Sequence, residues 1–285
     1  MSALAPPAPA AGVGLVKLRE LWLHTGTACN LSCPFCHEGS APADRRLDAM
    51  DVTAARQLID EAVALGVERF AFTGGEPLIL RGIVDILAHA QMHRPCLVLT
   101  NGTAPLLRRP QQLARLREGR HPVSFRVSID HPDETQHDAG RGLKTFRRAL
   151  EGLRLLQLAG FEIGVTRLST EGEDVREIEA RFRSLLRRHG FAADLPIVAL
   201  PDLGRPHETN ALAIPADLSP QITECSRSRM AVSRNGALRI LPCPLVDDDA
   251  SLELGSDLTA ATNARVPLRH RRCHICLTRG VDYAG

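Results

Sequence analysis

Between residues 19 and 200 the chain alternates short apolar runs with longer stretches of helical periodicity, and this alternation constrains the fold more than any other feature. The runs are LWLH (21–24), RFAFT (69–73), CLVLT (96–100), VSFRVSI (123–129), EIGVTRL (162–168) and LPIVAL (195–200). Strands that take turns with helices form a parallel sheet joined by crossovers. The intervening stripes support this: Ala54, Leu58, Ile59, Ala62 and Val63 follow a capping Asp51 and stop at Gly66. Similar stripes run through Ile83, Ile86 and Leu87, through Phe146, Leu150 and Leu153, and through Ile178, Phe182, Leu185 and Leu186. Six units fall short of the eight that close a barrel, so the expected fold class is α/β, a partial (β/α)6 TIM-like barrel. In such barrels the site lies at the C-terminal ends of the strands, where His24, Thr25, Thr73 to Pro77, Thr100 to Gly102 and Asp130 fall.

After Leu200 the alternation stops. PDLGRPHETN reads as a loop and MAVSRNGALRIL as a β-hairpin turning at Asn235-Gly236. The expected organisation is a disordered arm over 1–18, a core domain over 19–204 and a small Cys-rich β-hairpin module over 205–285. Met1 to Gly14 carry no charge, and Pro6, Pro7 and Pro9 break any signal helix. No window supplies the roughly 18 to 20 apolar residues of a membrane span. A net charge of +2, with Lys17 and Lys144 the only lysines, gives no basic patch for nucleic acid and no membrane surface. The expected location is cytoplasmic, where clustered cysteines hold metal more often than they form disulfides.

Three of the eight cysteines, Cys29, Cys33 and Cys36, crowd into TACNLSCPFC. Clustered thiolates select zinc or iron-sulfur clusters over hard cations. Structural zinc takes four protein ligands, a fourth here being His37, whereas three cysteines on a four-iron cluster leave one iron open. Spacing alone leaves both readings standing.

The C-x-x-x-C-x-Φ-C arrangement with Phe35 at Φ, after a first strand, resembles the radical S-adenosylmethionine (radical SAM) superfamily. Gly74-Gly75-Glu76-Pro77 resembles that family's GGEP motif, LTNGT (99–103) its third-strand ending, and SIDHPDETQHDAGRG (128–142) its fourth-strand segment. The resemblance covers roughly residues 19 to 200. It implies a [4Fe-4S] cluster on Cys29, Cys33 and Cys36 whose open iron takes S-adenosylmethionine (SAM). An electron from an external donor such as flavodoxin or ferredoxin would then release a 5′-deoxyadenosyl radical that takes hydrogen from a substrate. It further implies that Glu76 holds the methionyl amino group, with Gly74 and Gly75 permitting close backbone approach. Ser128 and Asp130 would contact the ribose, and Asn101 and Arg167 the ribose or carboxylate. An apolar wall of Leu31, Pro34 and Phe35 would shield the radical. His24 and His37 flank the cluster, while Trp22 and Cys96 read as core.

Cys225, Cys243, Cys273 and Cys276 bracket the hairpin and end in C-x-x-C, which resembles the auxiliary-cluster module called twitch, a reduced SPASM domain. The gap from Gly236 to Cys243 is six residues where that pattern has four. The resemblance implies a second, auxiliary [4Fe-4S] cluster; four thiolates also suit zinc. Full protein ligation would make such a cluster an electron acceptor and the net reaction an oxidation.

The expected function is therefore a radical SAM oxidoreductase acting on a peptide side chain or a small sugar-like alcohol. The other class is an iron-sulfur or zinc protein with a structural or electron-transfer role and no SAM chemistry. The C-terminal cysteine layout differs from that of molybdenum-cofactor-type cyclases, and too few cysteines remain for the two auxiliary clusters of sulfatase-maturing enzymes. A barrel starting near residue 19 leaves no room for a leader-recognition domain, so a peptide substrate would come with a separate carrier protein. The oxidation needs a general base, for which Glu38, Asp130, His137 and Asp138 are the candidates.

Overall fold

All six apolar runs become strands, and the computed structural model, which describes residues 12–170, 172–204 and 223–281, joins them in one sheet. β1 (Glu20–His24), β2 (Arg69–Thr73), β3 (Cys96–Thr100), β4 (Val123–Ser128), β5 (Glu162–Leu168) and β6 (Ile197–Leu200) lie parallel and in chain order. The crossovers carry α1 (Val52–Ala64), α2 (Ile83–Ala90), the short α3 (Ala104–Leu107) and α4 (Pro110–Ala114), α5 (Glu134–Arg141), α6 (Thr145–Leu158) and α7 (Val175–Arg188). α1 starts where its cap predicts, the Asp51 carboxylate accepting from the Ala54 N–H at 2.9 Å.

Next come α8 (Glu224–Arg227) and the hairpin, β7 (Ser228–Arg234) and β8 (Ala237–Leu241). Asn235 and Gly236 have φ of 52° and 70°, the two positive values a type I′ turn requires. β7 pairs in parallel with β1, Glu20 opposite Ser228 through Leu23 opposite Ala231, and β8 returns antiparallel. The order β6-β5-β4-β3-β2-β1-β7-β8 is open at both ends, so the barrel is partial, as expected. α9 (Leu258–Asn263) and α10 (Arg271–Arg279) complete the described elements.

The strand period of two divides the apolar residues into two cores. Leu21, Leu23, Phe70 and Phe72 face the helices with Leu58, Ile59, Ile86 and Leu87. Trp22, Ala71 and Leu97 face the barrel interior, where Met230, Val232, Leu245 and Val246 join them. The C-terminal segment thus fills the inside of the barrel.

The arm read as disordered over 1–18 is ordered in its described part. Val13 bridges to Val266, the Val16 N–H donates to the Ser226 carbonyl, and Leu18 is buried. Those partners lie more than 200 residues away, out of reach of any local composition signal. Residues 1–11, and 205–222 at the start of the expected module, lie outside the described residues. Among those described, no helix is long and apolar enough to cross a membrane.

Candidate active site

The cysteine loop leaves β1 at its C-terminal end, and backbone hydrogen bonds set its course. The Cys29 N–H donates to the Ala41 carbonyl (3.2 Å), Cys36 to Cys33 (3.1 Å) and Gly39 to Cys36 (3.0 Å). These turns bring Cys29, Cys33 and Cys36, all free, to the wall of one cavity over the strand ends. Burial pushes the Cys29 thiol up to about 12, Cys36 up to about 11, and Cys33 upward as well. Such thiols stay neutral until a cation holds them as thiolates, so metal uptake here releases protons. The Leu31 N–H and the Asn101 Nδ2 point at the Cys29 sulfur at 3.4 and 3.8 Å, which favours the charged form.

Gly74 and Gly75 line the same cavity, and the local packing explains why they are glycine. A Cβ on Gly75 would stand 2.4 Å from the Ala28 carbonyl oxygen, and one on Gly74 2.7 Å from that of Gly26, at φ +128°. The Gly75 and Glu76 N–H groups donate to the carbonyls of Gly26 and Ala28 (2.9 and 3.0 Å), zipping this turn onto the cysteine loop. Glu76 itself does not line the cavity. Its carboxylate accepts from the Leu78 N–H (3.1 Å), Thr100 Oγ1 (2.8 Å) and the Asn101 N–H (2.7 Å), so it ties two strand-end turns together. Pro34 is exposed and absent from the wall, which Leu31, Phe35, Leu99, Leu168 and Leu200 supply instead.

Asn101, Ser128, Asp130 and Arg167 all reach the cavity from the ends of β3, β4 and β5. Asn101 accepts from Thr103 and donates to Asn30 Oδ1 at 3.0 Å, fixing its amide beside the cysteine loop. Asp130 is held by a two-pronged pair with Arg141, which keeps its carboxyl below the usual carboxylate range although burial opposes this. Arg141, unmarked in the sequence reading, lines the cavity and lies 5.6 Å from the Phe35 ring centre. Buried Arg167 pairs with Glu173 at 2.7 Å, and its Nε has no partner among the described residues. Thr166 Oγ1, also on the wall, is likewise unpartnered. Buried polar atoms of this kind fit a polar ligand, and three thiols fit a cluster that keeps one metal position open.

Two of the four candidate bases are elsewhere. His137 lies behind the wall, its Nδ1 accepting from the Asp130 N–H (3.2 Å), and Asp138 caps the start of α6 through the Lys144 and Phe146 N–H groups. Glu38 does line the cavity. His24 Nδ1 accepts from the Gly26 N–H at 3.2 Å, which leaves Nε2 as the donor to Glu38 Oε2 at 3.3 Å. Burial opposes ionisation of Glu38, but His24 beside it brings the carboxyl down to about 2. Asp247 also lies within 4.8 Å of this pair. Since His24 has no free nitrogen lone pair toward them, the trio shares protons rather than gripping a metal.

Cys225, Cys243, Cys273 and Cys276 line a second, smaller pocket with Leu245, Val246, Leu252 and Leu268. Burial raises all four thiols, Cys273 to about 12 and Cys276 to about 11. Beside them the fully buried Arg229 gives its hydrogen bonds to the carbonyls of Cys225, Ser228 and Ala261 (2.7 to 2.9 Å). A buried guanidinium whose hydrogen bonds end on carbonyls calls for a nearby negative charge, which four thiolates on a metal centre would supply. Arg272, next to Cys273, spans the two sites. It donates to the His37 carbonyl at 2.6 Å and to the Leu245 carbonyl at 2.9 Å.

Residues 23–185 match the family described as the Radical SAM superfamily. The AdoMet-dependent heme synthase of Nitratidesulfovibrio vulgaris is 30% identical over 141 residues, 48% of this chain and 37% of that protein. The mycofactocin maturase of Mycolicibacterium smegmatis is 28% identical over 179 residues, 62% of this chain and 43% of that protein. The aligned stretch thus spans less than half the length of either relative. SuiB of Streptococcus suis, solved bound to its precursor peptide SuiA, shares the fold with a TM-score of 0.67 at 13% identity, covering 87% of this chain and 65% of that one.

Proposed function

The chain belongs to the radical SAM superfamily, and from that premise we propose that it oxidises a substrate held between its two cysteine sites, one site starting the reaction and the other taking up an electron at its end. The observation that carries this reading is the cavity itself. Its wall includes Cys29, Cys33 and Cys36 and also Pro244, the neighbour of Cys243.

Cys29, Cys33 and Cys36 would hold a [4Fe-4S] cluster, and Asn101, Ser128, Asp130 and Arg167 the SAM beside it. With an electron from a donor such as flavodoxin or ferredoxin, these groups supply a 5′-deoxyadenosyl radical that removes one hydrogen atom from the substrate. Leu31, Phe35, Leu99 and Leu168 keep water from that step. Of the two candidate bases that line the cavity, Asp130 is paired with Arg141, and we assign the substrate proton to Glu38, whose charge the His24 Nε2–H steadies. So weak a base accepts that proton only once electron loss has made it strongly acidic. A cluster held by Cys225, Cys243, Cys273 and Cys276 would supply the acceptor for the remaining electron. The substrate then has lost a hydrogen atom, a proton and an electron, a two-electron oxidation.

For the substrate class we favour a peptide side chain, supported by the likeness to a maturase and to the fold of a peptide-bound enzyme. A small sugar-like alcohol is the second reading, in keeping with a C-terminal set of only four cysteines. A separate carrier protein would present the peptide.

The test is anaerobic reconstitution with iron and zinc counted per chain, followed by dithionite and SAM and an assay for 5′-deoxyadenosine. About eight irons and deoxyadenosine are expected. Deoxyadenosine with about four irons would remove the electron-acceptor role. A reducible, filled cluster that yields none would overturn the SAM reading.

A further inference from the structure

Away from both cysteine sites, two histidines and a carboxylate meet at the seam between α1 and α2. His89, in the last turn of α2, and His93, one turn further on, have ring centres 5.3 Å apart. Both Nε2 atoms face Asp60 of α1, at 2.8 Å (His89) and 3.7 Å (His93) from the same oxygen, Oδ1. The three ligand atoms all lie within 4.8 Å of one another. A tetrahedral zinc ion with bonds of about 2.0 to 2.1 Å separates its ligand atoms by roughly 3.3 Å, a value the two measured edges bracket.

We propose that Asp60, His89 and His93 form a site for a divalent cation of the zinc class, clamping α1 to α2. Imidazole and carboxylate suit zinc, and three protein ligands leave a position for water. Both rings would bind through Nε2, the proton that His89 Nε2 shares with Asp60 moving to Nδ1, which no hydrogen bond to the described residues holds in the other tautomer. The scaffold is rigid: the opposite face of α1 buries Ala55, Leu58, Ile59 and Ala62, and α2 buries Ile83, Ile86, Leu87 and Ala90. The ligands themselves are accessible, Asp60 with 58% of its side chain exposed, His89 26% and His93 35%. They lie toward the N-terminal ends of the strands, His93 three residues before β3, so the ion braces the barrel wall and takes no part in the chemistry above.

The experiment uses tag-free protein with its cysteine sites loaded, titrated anaerobically with cobalt(II) as an optical probe and then with zinc. One cobalt per chain is expected, with the comparatively intense visible d–d bands of a four-coordinate nitrogen and oxygen site and no sulfur charge-transfer band. One zinc should displace it and raise the unfolding temperature. His89→Ala and His93→Ala should each weaken zinc by at least the ~10–100-fold that losing an outer-sphere partner costs, with iron content and deoxyadenosine formation unchanged. A sulfur charge-transfer band, no added cobalt, or zinc retained by the double variant at wild-type affinity would overturn the site. Failure here leaves the SAM reading untouched, because the readouts are separate.

Discussion

At the first cysteine site three thiols share a wall with Asn101, Ser128, Asp130 and Arg167, whereas at the second four thiols share a pocket with Leu245, Val246, Leu252 and Leu268. Charge follows the same division. The cations of the first site face carboxylates, Arg141 with Asp130 and Arg167 with Glu173; at the second Arg227 faces Glu224 and Arg272 faces Asp247 and Asp248, but the buried Arg229 gives its hydrogen bonds to carbonyls. A wall of paired charges with a few unpartnered polar atoms suits a ligand that carries both signs and leaves again. A dry pocket beside a buried cation suits a closed, anionic group that stays.

The contrast is tested most severely at the thiols. Cys29→Ala, Cys33→Ala or Cys36→Ala should abolish deoxyadenosine formation, whereas Cys273→Ala should leave cleavage of SAM running without product, as read by chromatography of both. Equal loss from the two sets would break the comparison. Next in size is Gly75→Ala, whose Cβ meets a carbonyl oxygen of the cysteine loop at 2.4 Å. Backbone cannot easily yield, so a loss of about 3 kcal/mol in urea unfolding and of the first site's iron is expected. Gly140→Ala meets Phe35 Cε1 at the same distance, but a ring can swing, and about 1 kcal/mol is expected. Arg229→Met sharpens the charge argument. It should lower the metal content of the second site and cost about 3 kcal/mol, leaving the first site filled.

A last prediction concerns pH. Burial, and after it the charge of Glu38, raises Asp247 to about 7; His24, Arg272 and Asp248 also face it. The folded protein therefore keeps a proton that the unfolded chain releases above about 4. Stability should fall as pH rises from about 4 to 7 and level off beyond. Asp247→Asn should flatten that slope, and an infrared band of a protonated carboxyl should vanish with it.

The elements were legible where local pattern and tertiary packing agree. RFAFT and CLVLT became β2 and β3 residue for residue, because each is a short apolar run closed by a polar strand end. Every cysteine except the core residue Cys96, and the strand-end residues Asn101, Ser128, Asp130 and Arg167, stand in ordered motifs and reach a cavity wall. Partnerships across the chain were not legible. Asp130 and Arg141 stand in the same segment, 128–142, but nothing in it pairs them, since a basic residue ending a helix reads as solvated. Glu76 sits in a recognisable motif, yet its partners Thr100 and Asn101 arrive from another strand. The hairpin was readable from Asn235-Gly236, but its seat against β1 depends on residues some 200 positions away.

That seat bears on how the protein is made. Of the described strands of this sheet β1 comes first in chain order, and the neighbour on its other side begins only at residue 228. While the some 200 residues between them are made, β1 presents a bare row of amide and carbonyl groups able to pair with another nascent chain. β1 therefore gains its second neighbour only some 200 residues after it is made, and until then the growing chain depends on shielding of that edge.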